Sequence, residues 1–145
     1  MLYMQHCLYI CPMKYELQNC IGANIRSLSR VVDNYYRSCL SSFDITENQM
    51  TILFTLSKMG KVEQGRVGDE LVLERSTVSR NIKLLEKKGL LTRTAVYRPE
   101  IELSKKGQEL VLALIPGWEK VMEELSNKIG ADTVSQIQEL EKKLK

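Results

Sequence analysis

The sequence predicts a mainly α-helical fold with one small β-hairpin, and three observations carry that expectation. Apolar residues recur at intervals of three and four through most of the 145-residue chain, the period of helices that bury one face. Only residues 90–103 alternate apolar and polar side chains, in two short runs flanking a Tyr-Arg-Pro tip, as strands joined by a turn do. Between these patterns, Val72-Leu73-Glu74 makes a tight connection between a brief helical run and a longer one, which is a helix-turn-helix. With the hairpin behind it as a wing, the expected architecture is a winged helix-turn-helix over residues 46–103, extended by N- and C-terminal helices.

From about Tyr15 to Leu40, the positions Leu17, Ile21, Ile25, Leu28, Val32 and Tyr35 give a long amphipathic helix. Thr46-Glu-Asn-Gln49 is a capping-box sequence: the threonine hydroxyl accepts from a free backbone N–H and the glutamine reaches back. A helix therefore starts there, carries Met50, Leu53, Phe54 and Leu56 inward, and stops near Gly60. Arg66-Val-Gly-Asp-Glu-Leu71 reads as a brief helix. Residues 74–93 then carry Val78, Ile82 and Leu85 at helical spacing and end the helix at a glycine. Ser76, Thr77, Arg80, Lys83 and Lys87 fall on or near the opposite face. After the hairpin, Ser104 is placed to cap a helix that includes Leu110, Leu114, Val121, Met122, Leu125 and Ile129. Pro116 with Gly117 predicts a kink or a break in it, because proline lacks a backbone donor. Asp132 is placed to cap a last helix containing Val134, Ile137, Leu140 and Leu144.

A net charge of +3 hides an uneven distribution: residues 1–59 sum to +1, residues 60–106 to +4 and residues 107–145 to −2. The surplus lies in the helix-turn-helix and wing, where it suits the phosphates of duplex DNA, although an ordinary solvated face accounts for the charge equally well. The outward helix face decides between them: short hydroxyls and a long arginine suit a helix whose first turns enter a major groove. Arg98, at the hairpin tip, is within reach of an adjacent minor groove or a phosphate.

The chain is long enough for one domain with a modest core, and residues 1–145 are read as a single domain. Residues 1–13 are an N-terminal extension, with Met13 as an alternative translation start. This segment lacks a basic start and a cleavage site, so it is a poor secretory signal. No run approaches the roughly 18 apolar residues that span a bilayer. The expectation is a cytoplasmic protein with no membrane partner. Helices 14–40 and 104–145 lie outside the minimal winged helix, and an uncovered apolar face seeks a partner. The simplest partner is a second copy of the chain, a two-fold homodimer that presents two recognition helices to the two half-sites of a palindrome; the alternative is that these helices fold back within a monomer.

Taken in order, Thr46-Glu-Asn-Gln49, Leu73-Glu-Arg-Ser-Thr-Val-Ser-Arg80, Leu84-Leu-Glu-Lys-Lys-Gly-Leu-Leu91, Arg93 and Ser104-Lys-Lys-Gly107 resemble the MarR (multiple antibiotic resistance regulator) transcription factors. The resemblance covers about residues 20–145 and is strongest in the recognition helix. It implies a dimer whose terminal helices interlock, with a winged helix-turn-helix lobe on each side. It further implies a repressor of transcription that a small ligand or an oxidant releases from DNA. Carried over by position, Arg75, Ser76, Thr77, Arg80 and Asn81 would contact DNA, with Arg98 as the wing arginine. The wing departs from the family pattern: it reads Ala95-Val-Tyr-Arg-Pro99, with no acidic residue before the arginine.

All four cysteines, Cys7, Cys11, Cys20 and Cys39, lie in the N-terminal third. A structural disulfide framework is not expected in a cytoplasmic protein. Cys20 and Cys39 fall near the apolar stripe of the first helix, where a free cysteine packs as a small hydrophobe. The alternative is redox sensing, for which Cys20 is the candidate because some members of the resembling family sense hydroperoxides through a first-helix cysteine. A metal site from His6, Cys7 and Cys11 lacks the second tight pair of a tetrahedral set, so neither metal nor cofactor is expected. A hydrophobic groove between the lobes would suit a small aromatic or amphipathic effector. An enzyme is not expected, since there is no glycine-rich phosphate loop and the single histidine lies near the terminus. The competing function is a protein-interaction winged helix without DNA binding, which would not need Arg80 and its hydroxyl neighbours.

Overall fold

The computed structural model describes residues 16–145. A single 3-10 turn, Leu17–Asn19, precedes helix α1 (Ile21–Leu40), and the Asn24 side-chain amide donates to the Gln18 carbonyl to hold the two together (3.2 Å). The first helix is thus shorter than the apolar period suggested. The chain divides within α1 into an N-terminal unit that ends at Asp33 and a unit running from Asn34 to Lys145. In the first unit Ile21, Ile25, Leu28 and Val31 are exposed.

The second unit builds its core from α2 onward. Helix α2 (Glu47–Met59) starts with the expected capping box: Gln49 N–H donates to the Thr46 hydroxyl (3.3 Å) and Thr46 N–H donates to the Gln49 side-chain oxygen (3.2 Å). Met50, Ile52, Leu53 and Leu56 are buried, while Phe54 packs edge-on against Trp118 with ring centroids 5.5 Å apart. Gly60 ends the helix at φ +69°, a conformation that costs glycine nothing.

Strand β1 (Val62–Glu63) leads into α3 (Gln64–Leu71), and α4 (Arg75–Lys87) follows. The turn between these helices is made by Val72, which adopts the left-handed conformation at φ 52°, ψ 42°. Beyond α4, Gly89 takes φ +72° and Leu90 N–H returns to the Leu85 carbonyl (3.0 Å), closing the helix with its backbone groups satisfied. The wing consists of β2 (Leu91–Arg93) and β3 (Glu100–Leu103), antiparallel with Leu91 opposite Leu103. A two-stranded hairpin was expected; the sheet has three strands in the order β1-β3-β2, with Val62 opposite Ile101. The pairing of β1 with β3 closes one edge of the wing and gives its backbone groups partners.

Ser104 caps α5 (Lys105–Ile129) through Gly107 N–H (3.0 Å), as expected. Pro116 does not break the helix, which runs unbroken through it. The carbonyl that loses its donor belongs to Leu112, one turn earlier, and Leu112 is 68% exposed, so water can serve that carbonyl. Helix α6 (Ala131–Leu144) begins at Gly130, with no side-chain cap. Asp132 therefore does not cap it but sits in its first turn, where a negative charge still favours the helix dipole.

Ile52, Leu53, Leu56, Val67, Ile82, Leu85 and Ile101 are the most deeply buried side chains. They come from α2, α3, α4 and β3, and burying each one contributes about 1.5–3 kcal/mol. This core fixes the direction of α4 against the wing. Among the described residues no helix is long and apolar enough to cross a membrane.

Candidate nucleic-acid interface

Helix α4 is amphipathic in the sense its sequence predicts. Val78, Ile82 and Leu85 are buried in the core, which turns Arg75, Ser76, Arg80, Lys83 and Lys87 outward, all of them exposed. Ser76, Arg80, Lys83 and Lys87 follow one another at steps of four, three and four and form a single stripe. No side chain caps the N-terminus of the helix, leaving its first N–H groups and the positive end of its dipole on the same surface as Arg75. Thr77 is half-buried at the edge of the stripe.

Asn81 is the exception among the residues carried over by position. Only 9% of it is exposed, and its side-chain amide donates to the Thr77 carbonyl (2.9 Å). It lies beside the buried Val78 and Leu85, and this bond uses one of its two amide N–H groups.

The wing is tied to the helix-turn-helix at both ends, to α4 at one and to α3 at the other. Arg93 on β2 pairs with Glu86 on α4 (3.3 Å), and at the far side the Gln64 N–H donates to the Pro99 carbonyl (2.9 Å). Thr94 spans the mouth of the tip, its N–H donating to the Glu100 carbonyl (3.0 Å) while its hydroxyl accepts from Glu100 N–H (2.9 Å). Tyr97 and Arg98 at the tip are exposed. Between tip and helices lies an open cleft of about 610 Å³, lined by Arg66, Arg75 and Arg98 together with Glu63 and Asp69.

Sequence reasoning missed two members of this cleft. Arg66 was assigned only to a short helix, and Glu63 to no element. A two-residue strand leaves no periodic signal. Yet Glu63 supplies the acidic partner that the wing itself lacks: its carboxylate lies 3.8 Å from the Arg98 Nε. Among the described residues, Arg66, Arg75, Arg80, Lys83 and Lys87 have no carboxylate within ion-pair distance.

The surface is therefore a basic stripe on a rigid helix, flanked by a basic wing tip. Residues 43–98, from the loop before α2 to the wing arginine, match the family model described as MarR family. Over that segment the chain is similar to the MarR family. No curated protein sequence matches the chain, but solved structures of MarR type share its fold. BpsR from Bordetella bronchiseptica, solved to explain regulation of its DNA binding by 6-hydroxynicotinic acid, is 18% identical with a TM-score of 0.81, covering 91% of this chain and 98% of its own. The PcaV transcriptional regulator from Streptomyces coelicolor, in complex with its natural ligand, is 20% identical with a TM-score of 0.80 over 91% and 96% of the two chains. A MarR mutant from E. coli complexed with operator DNA is 21% identical with a TM-score of 0.77 over 90% and 99%.

The cysteines are placed differently from one another. Cys20 is exposed, whereas Cys39 is half-buried against the core. Burial pushes the Cys39 thiol above its ordinary value, and its Sγ–H donates to the Tyr36 carbonyl (3.1 Å). Tyr36 is likewise pushed up by burial, and its hydroxyl meets the Met122 sulfur (3.1 Å). Cys7, Cys11 and His6 lie outside the described residues. Among those described, no group of three or more His, Cys, Asp or Glu side chains is arranged to hold a metal ion. A second open cavity, of about 560 Å³, lies where the end of α1 meets α2 and α4, lined by Arg37, Leu40, Ile45, Thr46, Leu84 and Lys88.

Proposed function

We propose that this MarR-family protein is a cytoplasmic, homodimeric, sequence-specific DNA-binding regulator of transcription, a repressor that a small ligand or cysteine oxidation releases from a palindromic operator. The single observation that carries the reading is the exposed stripe of Ser76, Arg80, Lys83 and Lys87 over the buried Val78, Ile82 and Leu85. A core residue set aims that stripe, so the backbone that carries its cations need not be ordered at the moment of binding. Arg80 reads a base edge in the major groove, Arg75, Ser76 and Thr77 hold the backbone at the start of the helix, and Arg98 reaches the neighbouring minor groove. Asn81, with one amide N–H on the Thr77 carbonyl, contacts the DNA through the polar atoms that bond leaves free.

Dimerisation is supported by apolar residues left uncovered in the single chain. Ile21, Ile25, Leu28 and Val31 on α1, and Ile137, Leu140 and Leu144 on α6, are each at least 43% exposed at helical spacing, and a second copy would cover them. The effector reading is supported by the cavity against α4, where Leu40, Ile45 and Leu84 give an apolar wall among Arg37, Asp44, Glu47 and Lys88, the last already paired with Asp44 (3.0 Å); such a mixed lining suits a small aromatic or amphipathic molecule. The DNA reading is tested by selecting a duplex from a random pool with the purified protein and then measuring its affinity for Arg80→Ala. The expected loss is about 1–3 kcal/mol for a guanine-paired arginine. Unchanged affinity would overturn the base-reading role of Arg80, and failure to select any duplex would leave the protein-interaction module as the better reading.

A further inference from the structure

Three arginines line the cleft between the wing and the helix-turn-helix, and the chain neutralises only one of them. Arg66 and Arg75 have no carboxylate within ion-pair distance among the described residues, while Arg98 faces Glu63 at 3.8 Å. Glu63 is the N-cap residue of α3, yet its side chain makes no capping hydrogen bond. It forgoes the nearest backbone donors, and its carboxylate is turned toward the wing. The backbone holds it there: Glu63 is opposite Glu100 in the β1–β3 ladder, and the following residue donates to the Pro99 carbonyl. Both partners of the pair are well exposed, Arg98 at 73% and Glu63 at 40% of their side chains, so the interaction is weak enough for DNA to break.

We propose that Glu63 is a specificity-determining residue: it holds Arg98 back from generic backbone phosphate, so that the wing engages only where a narrow minor groove offers a more negative site. This rests on the DNA-binding reading above. A guanidinium already shared with a carboxylate gains less from an isolated phosphate than a free one does. A narrow groove concentrates negative potential and still draws the arginine away. The carboxylate thus lowers affinity for every duplex, and lowers it most for the wrong ones. Arg66 and Arg75, left unpaired, supply the sequence-independent attraction.

The experiment uses the full chain in four forms, wild type, E63Q, R98A and the double variant, each checked for an unchanged melting temperature. Affinities are measured at one salt concentration for a duplex selected by the wild type and for a shuffled duplex of the same length. Glutamine keeps the size of Glu63 and removes only its charge. E63Q is expected to tighten the shuffled duplex by about threefold, the scale of an exposed ion pair, and the selected one by less, so that the ratio between them falls. On the R98A background E63Q is expected to have no effect. An unchanged ratio overturns the proposal, as does equal tightening with and without Arg98, which would make Glu63 a simple source of repulsion. Weaker binding of E63Q to both duplexes also overturns it, since Glu63 would then only position the wing. A wild type that selects no duplex defeats the DNA-binding reading itself, a result visible before any variant is compared.

Discussion

Gly107→Ala is expected to destabilise the protein by about 2–3 kcal/mol, although it places the best helix former in a helix. A Cβ at Gly107 would lie 1.9 Å from the Leu90 carbonyl oxygen and 3.3 Å from the Leu103 Cδ2. Carbon and carbonyl oxygen rest no closer than about 3.3 Å, so the first contact demands a backbone displacement of more than an ångström. The obstacle is main chain and already bonded: the Leu90 carbonyl accepts from Ser104 N–H (3.1 Å), while the neighbouring Lys88 carbonyl accepts from Lys106 Nζ (2.9 Å). Overpacking costs about 1–3 kcal/mol and a weakened hydrogen bond about 0.5–1.5 kcal/mol. Against these stands a helix-propensity gain of at most about 1 kcal/mol. Urea unfolding followed by circular dichroism, at one fixed protein concentration because association shifts the midpoint, measures the difference. Gly22→Ala is the control, since its Cβ would meet only the far end of the Arg26 side chain at 3.4 Å, and it should be neutral or stabilising. A Gly107→Ala midpoint equal to that of the wild type would refute the view that the end of α4 and the start of α5 are locked in contact through the Leu90 carbonyl.

Two further outcomes follow from the same structure. Val72→Asn is expected to raise stability by about 1 kcal/mol, because valine at φ 52° holds a left-handed conformation that suits asparagine and is 70% exposed, with little packing to lose; an equal or lower urea midpoint would show that the turn carries no strain. In timed alkylation with iodoacetamide near pH 8, with peptides mapped by mass spectrometry, Cys39 should lag Cys20 by on the order of tenfold. Burial raises the Cys39 pKa and so lowers its thiolate fraction at that pH, and the gap should narrow as pH rises further. Equal rates would mean that Cys39 is open to oxidants and would make it a second candidate sensor beside Cys20.

Most of the helical architecture was legible in the sequence because it is written in local signals. The Thr46 to Gln49 capping box, the Ser104 cap and the Val78, Ile82 and Leu85 stripe each act within one or two turns, and each is found where the pattern places it. What escaped depends on residues distant in sequence. Strand β1 is two residues long and exists only because Ile101 pairs with Val62. The partner of Arg98 lies 35 residues before it. The local bond of Asn81 also went unread: helical phase sets it beside Val78 and Ile82, with one amide N–H on the Thr77 carbonyl. The Ser104-Lys-Lys-Gly107 motif was readable as a string, yet the reason for its glycine is a carbonyl at residue 90 that no local pattern reveals. Pro116 does not break α5, because an exposed turn before it can give its freed carbonyl to water.

The distribution of burial separates two kinds of apolar stripe that look alike in sequence. The buried apolar residues run from Leu40 to Val121, so the winged helix-turn-helix completes its core with contributions from the end of α1 and the first two-thirds of α5. Helix α6 buries no residue, and α1 buries only Leu40. An isolated helix of 14 residues gains little from propensity alone, so the stripe of Ile137, Leu140 and Leu144 needs something to pack on if α6 is to hold in water. The lobe aims its basic stripe from its own core, whereas the outer helices leave apolar residues uncovered in the single chain. In the dimeric reading, the stability of those helices and the spacing of the two recognition helices are set by the same contacts.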